Sequence, residues 1–265
     1  MSNMLRSPSV GPIVGHTTTE SVRVWMRGSD EAPGRTVGVA VLCDTKGKPK
    51  KDTARYFRLH REFDRTGAVD FDDLEPNTPY LVRCGSLTLD STDDSEHIET
   101  SDLENTLPDA GAWIEELKDL PPEESTAEFT TFPPSADAGL SFIFGSCRYP
   151  GLFWAAKRAD RIYGSILKRF QHGGDSPPRF VLMVGDQIYA DKMNKALPIG
   201  RADTPSEFHE RYVTAFTSPN MRELLRTVPT YMILDDHEIE DNWTQDRLKD
   251  EHGLFNIAMS AYMSY

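Results

Sequence analysis

Three short stretches of the 265-residue chain carry side chains suited to metal-assisted chemistry. Residues 145–148 read Gly-Ser-Cys-Arg, residues 185–191 read Gly-Asp-Gln-Ile-Tyr-Ala-Asp, and residues 234–238 read Leu-Asp-Asp-His-Glu. One carboxylate can bridge two cations about 4 Å apart, and Asp186 is the candidate bridge. A phenolate or thiolate must lose its proton to bind a metal, and it prefers a strongly charged one. Cys147 and Tyr189 therefore suit trivalent iron. Asp236 offers oxygen to a second, harder ion such as calcium. His237 can donate a proton to a leaving oxygen or bond a phosphoryl oxygen. Glu238 or Asp235 could orient its other ring nitrogen. Arg148 carries the planar fork that neutralises phosphate oxygens.

Each residue also has a plain structural reading. A cysteine beside a strand is commonly a small buried hydrophobe. Asp186 could close an Asx-turn or cap a helix. Asp235 and Asp236 could cap a helix through residues 238–243. Tyr189 could be a packing residue with its hydroxyl bonded, and His237 a satisfied loop histidine. Arg148 could be the partner of an acidic side chain. The order and spacing of the three clusters within one repeating pattern argue for chemistry more strongly than any member does alone.

That pattern is strand, loop, helix, strand. Residues 140–144 and 180–184 are short apolar runs that stop at glycine, and residues 231–234 are a third run. Such runs read as buried strands entering loops. Residues 154–170 place Ile162, Ile166, Leu167 and Phe170 at helical spacing, as an amphipathic helix does. Residues 205–216 and 220–226 are helical by pattern, with Pro219 at or before the second start. In an open α/β sheet the reactive groups sit beyond the carboxyl ends of the strands. Asp186 falls there, where Gly185 would leave room for a metal or a phosphate.

The N-terminal part follows a different rhythm. Val22, Val24 and Met26 alternate with Arg23, Trp25 and Arg27, which is strand periodicity. Further short runs lie at residues 35–43, 55–61, 68–71 and 79–84, separated by turn residues. Several short strands with turns between them predict an all-β sandwich. Residues 87–128 form an acidic excursion, with a short helix expected over 109–120 and stopped by Pro121 and Pro122. Residues 129–138 read as the last strand and a linker. The domains expected are a sandwich over residues 1–135 and an α/β domain over 136–265, with the boundary near Pro133 or Pro134.

Composition narrows the classes. With 42 acidic against 29 basic residues the net charge is -13, which argues against general nucleic-acid binding. Three cysteines do not make a disulfide scaffold, although two of them could pair. No apolar run approaches a transmembrane span, and residues 1–9 lack a signal core. The sequence as it stands therefore points to the cytoplasm, with an exported location open if a leader was removed.

Together, residues 145–148, 185–191 and 234–243 resemble the signature of the alkaline phosphatase D family, within the calcineurin-like metallophosphoesterases. Residues 185–189 also resemble the Gly-Asp-x-x-Tyr motif of purple acid phosphatases. Residues 71–85 resemble the corner of a fibronectin type III-like domain, which that family carries before its phosphoesterase domain. The resemblance implies a fold with an N-terminal all-β sandwich and an α/β metallophosphoesterase domain, the latter a four-layer α/β/β/α sandwich when complete. It implies hydrolysis of phosphomonoesters or phosphodiesters, by attack of a metal-bound hydroxide on phosphorus; the alternative is a phosphodiesterase directed at phospholipids or nucleotides. Cys147, Asp186 and Tyr189 match iron ligands, Asp236 matches a ligand of the second metal and His237 the phosphate-side histidine. The cofactors implied are Fe3+ and Ca2+, or another divalent metal such as Mn2+, Zn2+ or Mg2+. The family's helical arginine is loosely matched by Arg211. Later histidine motifs that supply further ligands in the superfamily have no match before Tyr265. The chain is therefore expected to be C-terminally truncated, with the segment of the same protein after Tyr265 as its partner and a phosphate ester as its substrate. An α/β domain of three strands would leave open edges and an uncovered face. The competing reading is a non-catalytic binding or structural fragment.

Overall fold

The computed structural model describes residues 5–30, 36–89, 107–135, 139–150, 156–172, 177–191 and 200–265. They fall into two compact units: Met1–Ala138 with Leu225–Pro229, and Gly139–Leu224 with Thr230–Tyr265. No helix among the described residues is long and apolar enough to cross a membrane.

The first unit is the expected sandwich. One sheet holds β1 (Leu5–Arg6), β4 (Thr36–Cys43), β5 (Arg55–Arg58), β7 (Pro79–Thr88) and β8 (Thr126–Thr130); the other holds β2 (Val10–Thr17), β3 (Val22–Arg27) and β6 (Thr66–Phe71). All pairings are antiparallel. The alternation read in residues 22–26 holds, since Val22, Val24 and Met26 turn inward and meet Leu42, Phe57, Val82 and Phe129 from the facing sheet. Side chains of this size each contribute roughly 1.5–3 kcal/mol when fully buried. Arg27 departs from the pattern. Its guanidinium is buried and makes a bidentate bond to Asp64 at 2.8 and 3.0 Å.

β4 is buried along its whole length, because both of its faces are covered. Its outward residues Val37, Val39, Val41 and Cys43 pack with Leu117 and Ala110. These come from a 3-10 turn, Ala110–Trp113, and helix α1, Ile114–Asp119. Part of the acidic excursion is thus a lid on the sheet, with its charges outside; residues 90–106 of it lie outside the described residues. A second short helix, α2, is Pro122–Ser125, begun by the prolines that stop α1. The corner at residues 74–80 is locked by Tyr80, whose buried hydroxyl accepts the Glu75 N–H at 3.0 Å. Thr131 then bonds the Glu75 carbonyl at 2.6 Å. A tyrosine tied back to the preceding turn is the device of immunoglobulin-like corners. Cys43, Cys84 and Cys147 are all free, so no two of them pair.

The second unit is built on a parallel sheet, in the order β9 (Ile143–Gly145), β10 (Val181–Val184), β11 (Thr230–Ile233). Its helices are α3 (Ala156–Gln171), α4 (Pro205–Phe216), α5 (Pro219–Thr227) and α6 (His252–Ser264). Trp154, expected at the start of α3, lies outside the described residues, as does the linker at 136–138. On α3 the buried side is Tyr163 and Leu167, while Ile162 is exposed. Period alone did not fix that helix's rotation. Asp160, buried on α3, accepts the backbone N–H of Asn220 and of Met221, both at 3.0 Å. It therefore caps α5 from a neighbouring helix. α4 starts with a capping box, Thr204 with Glu207, and Pro205 in its first turn, as such sequences do.

Among the described residues, the sheet is covered on one face only. Val181 and Met183 are 2% and 6% exposed, whereas Phe144 and Ile233, which lean to the other side, are 69% and 49% exposed. The uncovered face expected of a three-stranded α/β sheet is present. It is edged by Phe142 stacked on Phe180, their ring centroids 4.9 Å apart.

Candidate metal centre

The three chemistry-bearing loops leave the carboxyl ends of β9, β10 and β11, side by side because the strands are parallel and in register. Backbone bonds tie them together. The N–H of Cys147 donates to the Gly185 carbonyl at 3.2 Å, that of Arg148 to the Asp186 carbonyl at 2.8 Å, and that of Ala190 to the His237 carbonyl at 2.9 Å. Cys147 and Asp186 both hold left-handed backbone, with φ of +62° and +56°. Non-glycine residues rarely sit there, and their clustering is a mark of functional sites.

Gly185 also has positive φ, +100°, but its role differs from the one expected. A Cβ there would lie 2.3 Å from the Cβ of Asp235. The glycine makes room for the β11 loop, not for a metal or a phosphate. That close approach is what brings the β10 and β11 carboxylates into one site.

The side chains then converge. Ligand atoms of Asp186, Asp236 and His237 all lie within 4.8 Å of one another. The Cys147 thiol reaches Asp186 Oδ2 at 3.1 Å, and the Tyr189 hydroxyl reaches the same oxygen at 3.4 Å. Asp186 is nearly inaccessible and Cys147 exposed. The Tyr189 ring lies against the His237 ring, centroids 4.1 Å apart. Four side chains thus gather around one buried carboxylate, and the Asp186, Asp236 and His237 group suits a cation, since two buried or half-buried carboxylates side by side repel without one. Tyr189 makes the same case. Burial raises its pKa first, and the negative character of Asp186 and Cys147 raises it further. A nearby cation reverses that balance, so a phenolate here belongs with a bound metal.

His237 is oriented by Asp191, not by Glu238 or Asp235 as the sequence suggested. Its Nδ1–H donates to Asp191 Oδ1 at 2.8 Å. Asp191 is buried, and its other oxygen accepts the Asp241 N–H at 2.8 Å. Burial pulls the imidazole pKa down, but the bond to Asp191 and the charges of Asp191, Asp186 and Asp236 outweigh it, so His237 titrates above its ordinary value. Nε2 lies 3.8 Å from an oxygen of Asp241. The sequence carried the signal for Asp191 as the last residue of the 185–191 stretch, yet nothing in spacing could pair it with a histidine 46 positions on.

Glu238 has another task. It is fully buried and accepts backbone N–H groups: Asp186 at 3.1 Å, Gln187 at 2.6 Å, Ile188 at 3.4 Å and Asp235 at 2.8 Å. Burial dominates its titration and, against those bonds, lifts it to about 7. Asp235 contributes its backbone to this arrangement, and Asp236 accepts the Asn242 N–H. Arg148 turns to Ser218 Oγ at 3.1 Å, and burial lowers its pKa against the pull of Tyr163 and Asp160. Its Nε is buried without a partner among the described residues. Arg211 donates to the Gly200 carbonyl.

Comparisons with known proteins bear on the fold. Residues 155–265 match the PhoD-like phosphatase family profile. The whole chain aligns with 47% of a solved structure described as the structure of PhoD, at 17% identity and a TM-score of 0.63. The chain thus spans about half the length of that protein. A sensor domain of the anti-sigma factor RsgI4 from Pseudobacteroides cellulosolvens aligns over 34% of the chain and 89% of its own, at 11% identity. Its TM-score of 0.23 says nothing about the fold. No curated protein matches the chain. A sandwich followed by an α/β unit with its polar loops at the strand ends, and a family match over residues 155–265, give the chain a PhoD-like fold.

Proposed function

We propose that the chain carries the metal-binding part of a phosphoester hydrolase centre. The observation that carries this reading is the convergence of Cys147, Tyr189, Asp236 and His237 on Asp186. Cys147, Tyr189 and Asp186 would hold ferric iron, because thiolate and phenolate donors favour a highly charged ion. Asp236 together with Asp186 would hold a divalent ion, calcium or else manganese, zinc or magnesium. When bound, such a pair polarises a phosphoryl oxygen and activates water.

The remaining work falls to the chain's own side chains. His237, fixed through Nδ1 by Asp191, presents Nε2 to a phosphoryl or leaving oxygen and holds or gives a proton there. Arg148 has an unpaired buried Nε and can add charge to a phosphate that displaces Ser218 from its guanidinium. The approach of Cys147 and Tyr189 to Asp186 disfavours the alternative of a non-catalytic module, in which those side chains would turn away. The N-terminal sandwich is read as fibronectin type III-like on the corner geometry of Tyr80. The substrate is a phosphomonoester or phosphodiester, including nucleotide and phospholipid diesters.

The test is release of nitrophenol from a nitrophenyl phosphomonoester and from a bis-nitrophenyl phosphodiester, with and without added iron and calcium. Metal-dependent turnover that Asp186→Asn abolishes supports the reading. A folded, metal-loaded protein that cleaves neither substrate overturns it.

A further inference from the structure

Glu238 does not touch the metal cluster, yet it binds both loops that carry it. Its Oε2 accepts the N–H of Asp186 from the β10 loop and of Asp235 from the β11 loop; its Oε1 accepts those of Gln187 and Ile188. Gln187, also buried, runs a second brace in parallel. Its Nε2 donates to the Met183 carbonyl at 3.3 Å and to the Ile233 carbonyl at 3.1 Å, joining the ends of the two strands.

We infer that Glu238 is a positioning residue that locks the β10 and β11 loops in metal-binding geometry before any ion arrives. The inference rests on the metal reading of the Asp186 cluster and extends it to a residue outside the ligand set. The physical need is clear. Asp186 holds left-handed backbone, which is strained in a free loop. Two carboxylate-bearing loops also repel each other when no cation lies between them. A carboxylate that accepts an amide from each side ties them together at charge-assisted strength. The ligands are then presented already in place, and the ordering cost of binding falls. Residues that orient ligands from outside the coordination sphere typically change metal affinity by about 10–100-fold when removed.

Two measurements test this. In the metal-free wild-type chain, amide hydrogen exchange at pH 8 should show Asp186, Gln187, Ile188 and Asp235 protected like the amides of β10. Exchange at loop rates, with protection only after metal is added, overturns the inference. In calorimetric titrations with Mn2+, Glu238→Gln should bind at least tenfold more weakly than wild type. The control is Asp160→Asn, which removes a buried carboxylate that also accepts backbone amides but serves the start of α5. It should lower stability and leave the Mn2+ affinity within about twofold. Equal losses in both variants would make Glu238 a stability residue only and overturn the inference. If the wild type binds no metal, the functional reading fails, whereas the exchange measurement still decides the brace. It decides it equally if Glu238→Gln does not fold.

Discussion

At the residue scale the site depends on one buried carboxylate. Cys147 and Tyr189 both point to Asp186 Oδ2, and His237 donates its backbone N–H to Oδ1 at 3.4 Å. Asp191 sets the tautomer and basicity of His237. A histidine raised by an acidic partner contributes stability that is present below its unfolded pKa and is lost as pH rises through the raised folded value. Asp191→Asn should therefore lower the His237 pKa, read by an NMR titration of its ring protons in the metal-free protein; an unchanged titration would contradict the assignment. The sequence made the cluster members legible, since residue types and strand-end positions were enough to name Cys147, Asp186, Tyr189, Asp236 and His237. It did not show their second partners. Asp191 takes the orienting role expected of Glu238 or Asp235, and Glu238 holds backbone amides instead, because a bond between residues 46 or 52 apart depends on how two loops are laid side by side.

At the scale of elements, the parallel register of β9, β10 and β11 is what gathers three loops that are far apart in sequence. Gly185 is the tightest point of that arrangement. Gly185→Ala combines positive φ with a clash against Asp235, so it should cost roughly 1–3 kcal/mol and weaken metal binding as well, measured by urea unfolding and by metal titration. A variant as stable and as tight-binding as wild type would show that the close approach does not matter. α5 offers a separate check. Its cap lies on α3, so Asp160→Ala should cost about 0.5–2 kcal/mol in urea unfolding, although Asp160 and Asn220 are 60 apart in sequence. No change would mean that the α3 carboxylate does not support α5. Runs of apolar residues located these strands well. The rotation of α3, with Ile162 outside and Tyr163 inside, was not legible, since arginine and lysine stems blur a helical period. β2 was hidden for a related reason, as its glycines and proline break alternation and its pairing with β3 shifts register.

At the scale of the whole molecule, the chain divides into a sandwich and an α/β unit, each with its own core. In the sandwich, Leu117 closes the outer face of β4 from the short helix expected within the acidic excursion. Leu117→Ala should cost about 2–5 kcal/mol, seen as a lower urea midpoint; a neutral result would show that the cover contributes no packing. Glu238 gives the α/β unit a pH signature. Its folded pKa of about 7 stands above its ordinary 4.5. As far as this group is concerned, the metal-free unit should be most stable below about pH 4.5 and should lose stability as pH rises through 7. The loss that such a raised pKa implies is on the order of 3 kcal/mol. Glu238→Gln should flatten that slope between about pH 4.5 and 7; equal slopes in the two proteins would contradict it.

The proposed centre depends on Asp186 standing at the middle of a metal cluster. Equilibrium dialysis against iron and manganese, followed by elemental analysis of the protein, tests this most directly. Wild type should retain metal, and Asp186→Asn, folded by circular dichroism, should lose at least about tenfold in affinity. A folded wild-type chain that retains no metal, or an Asp186→Asn variant that retains as much, would contradict it.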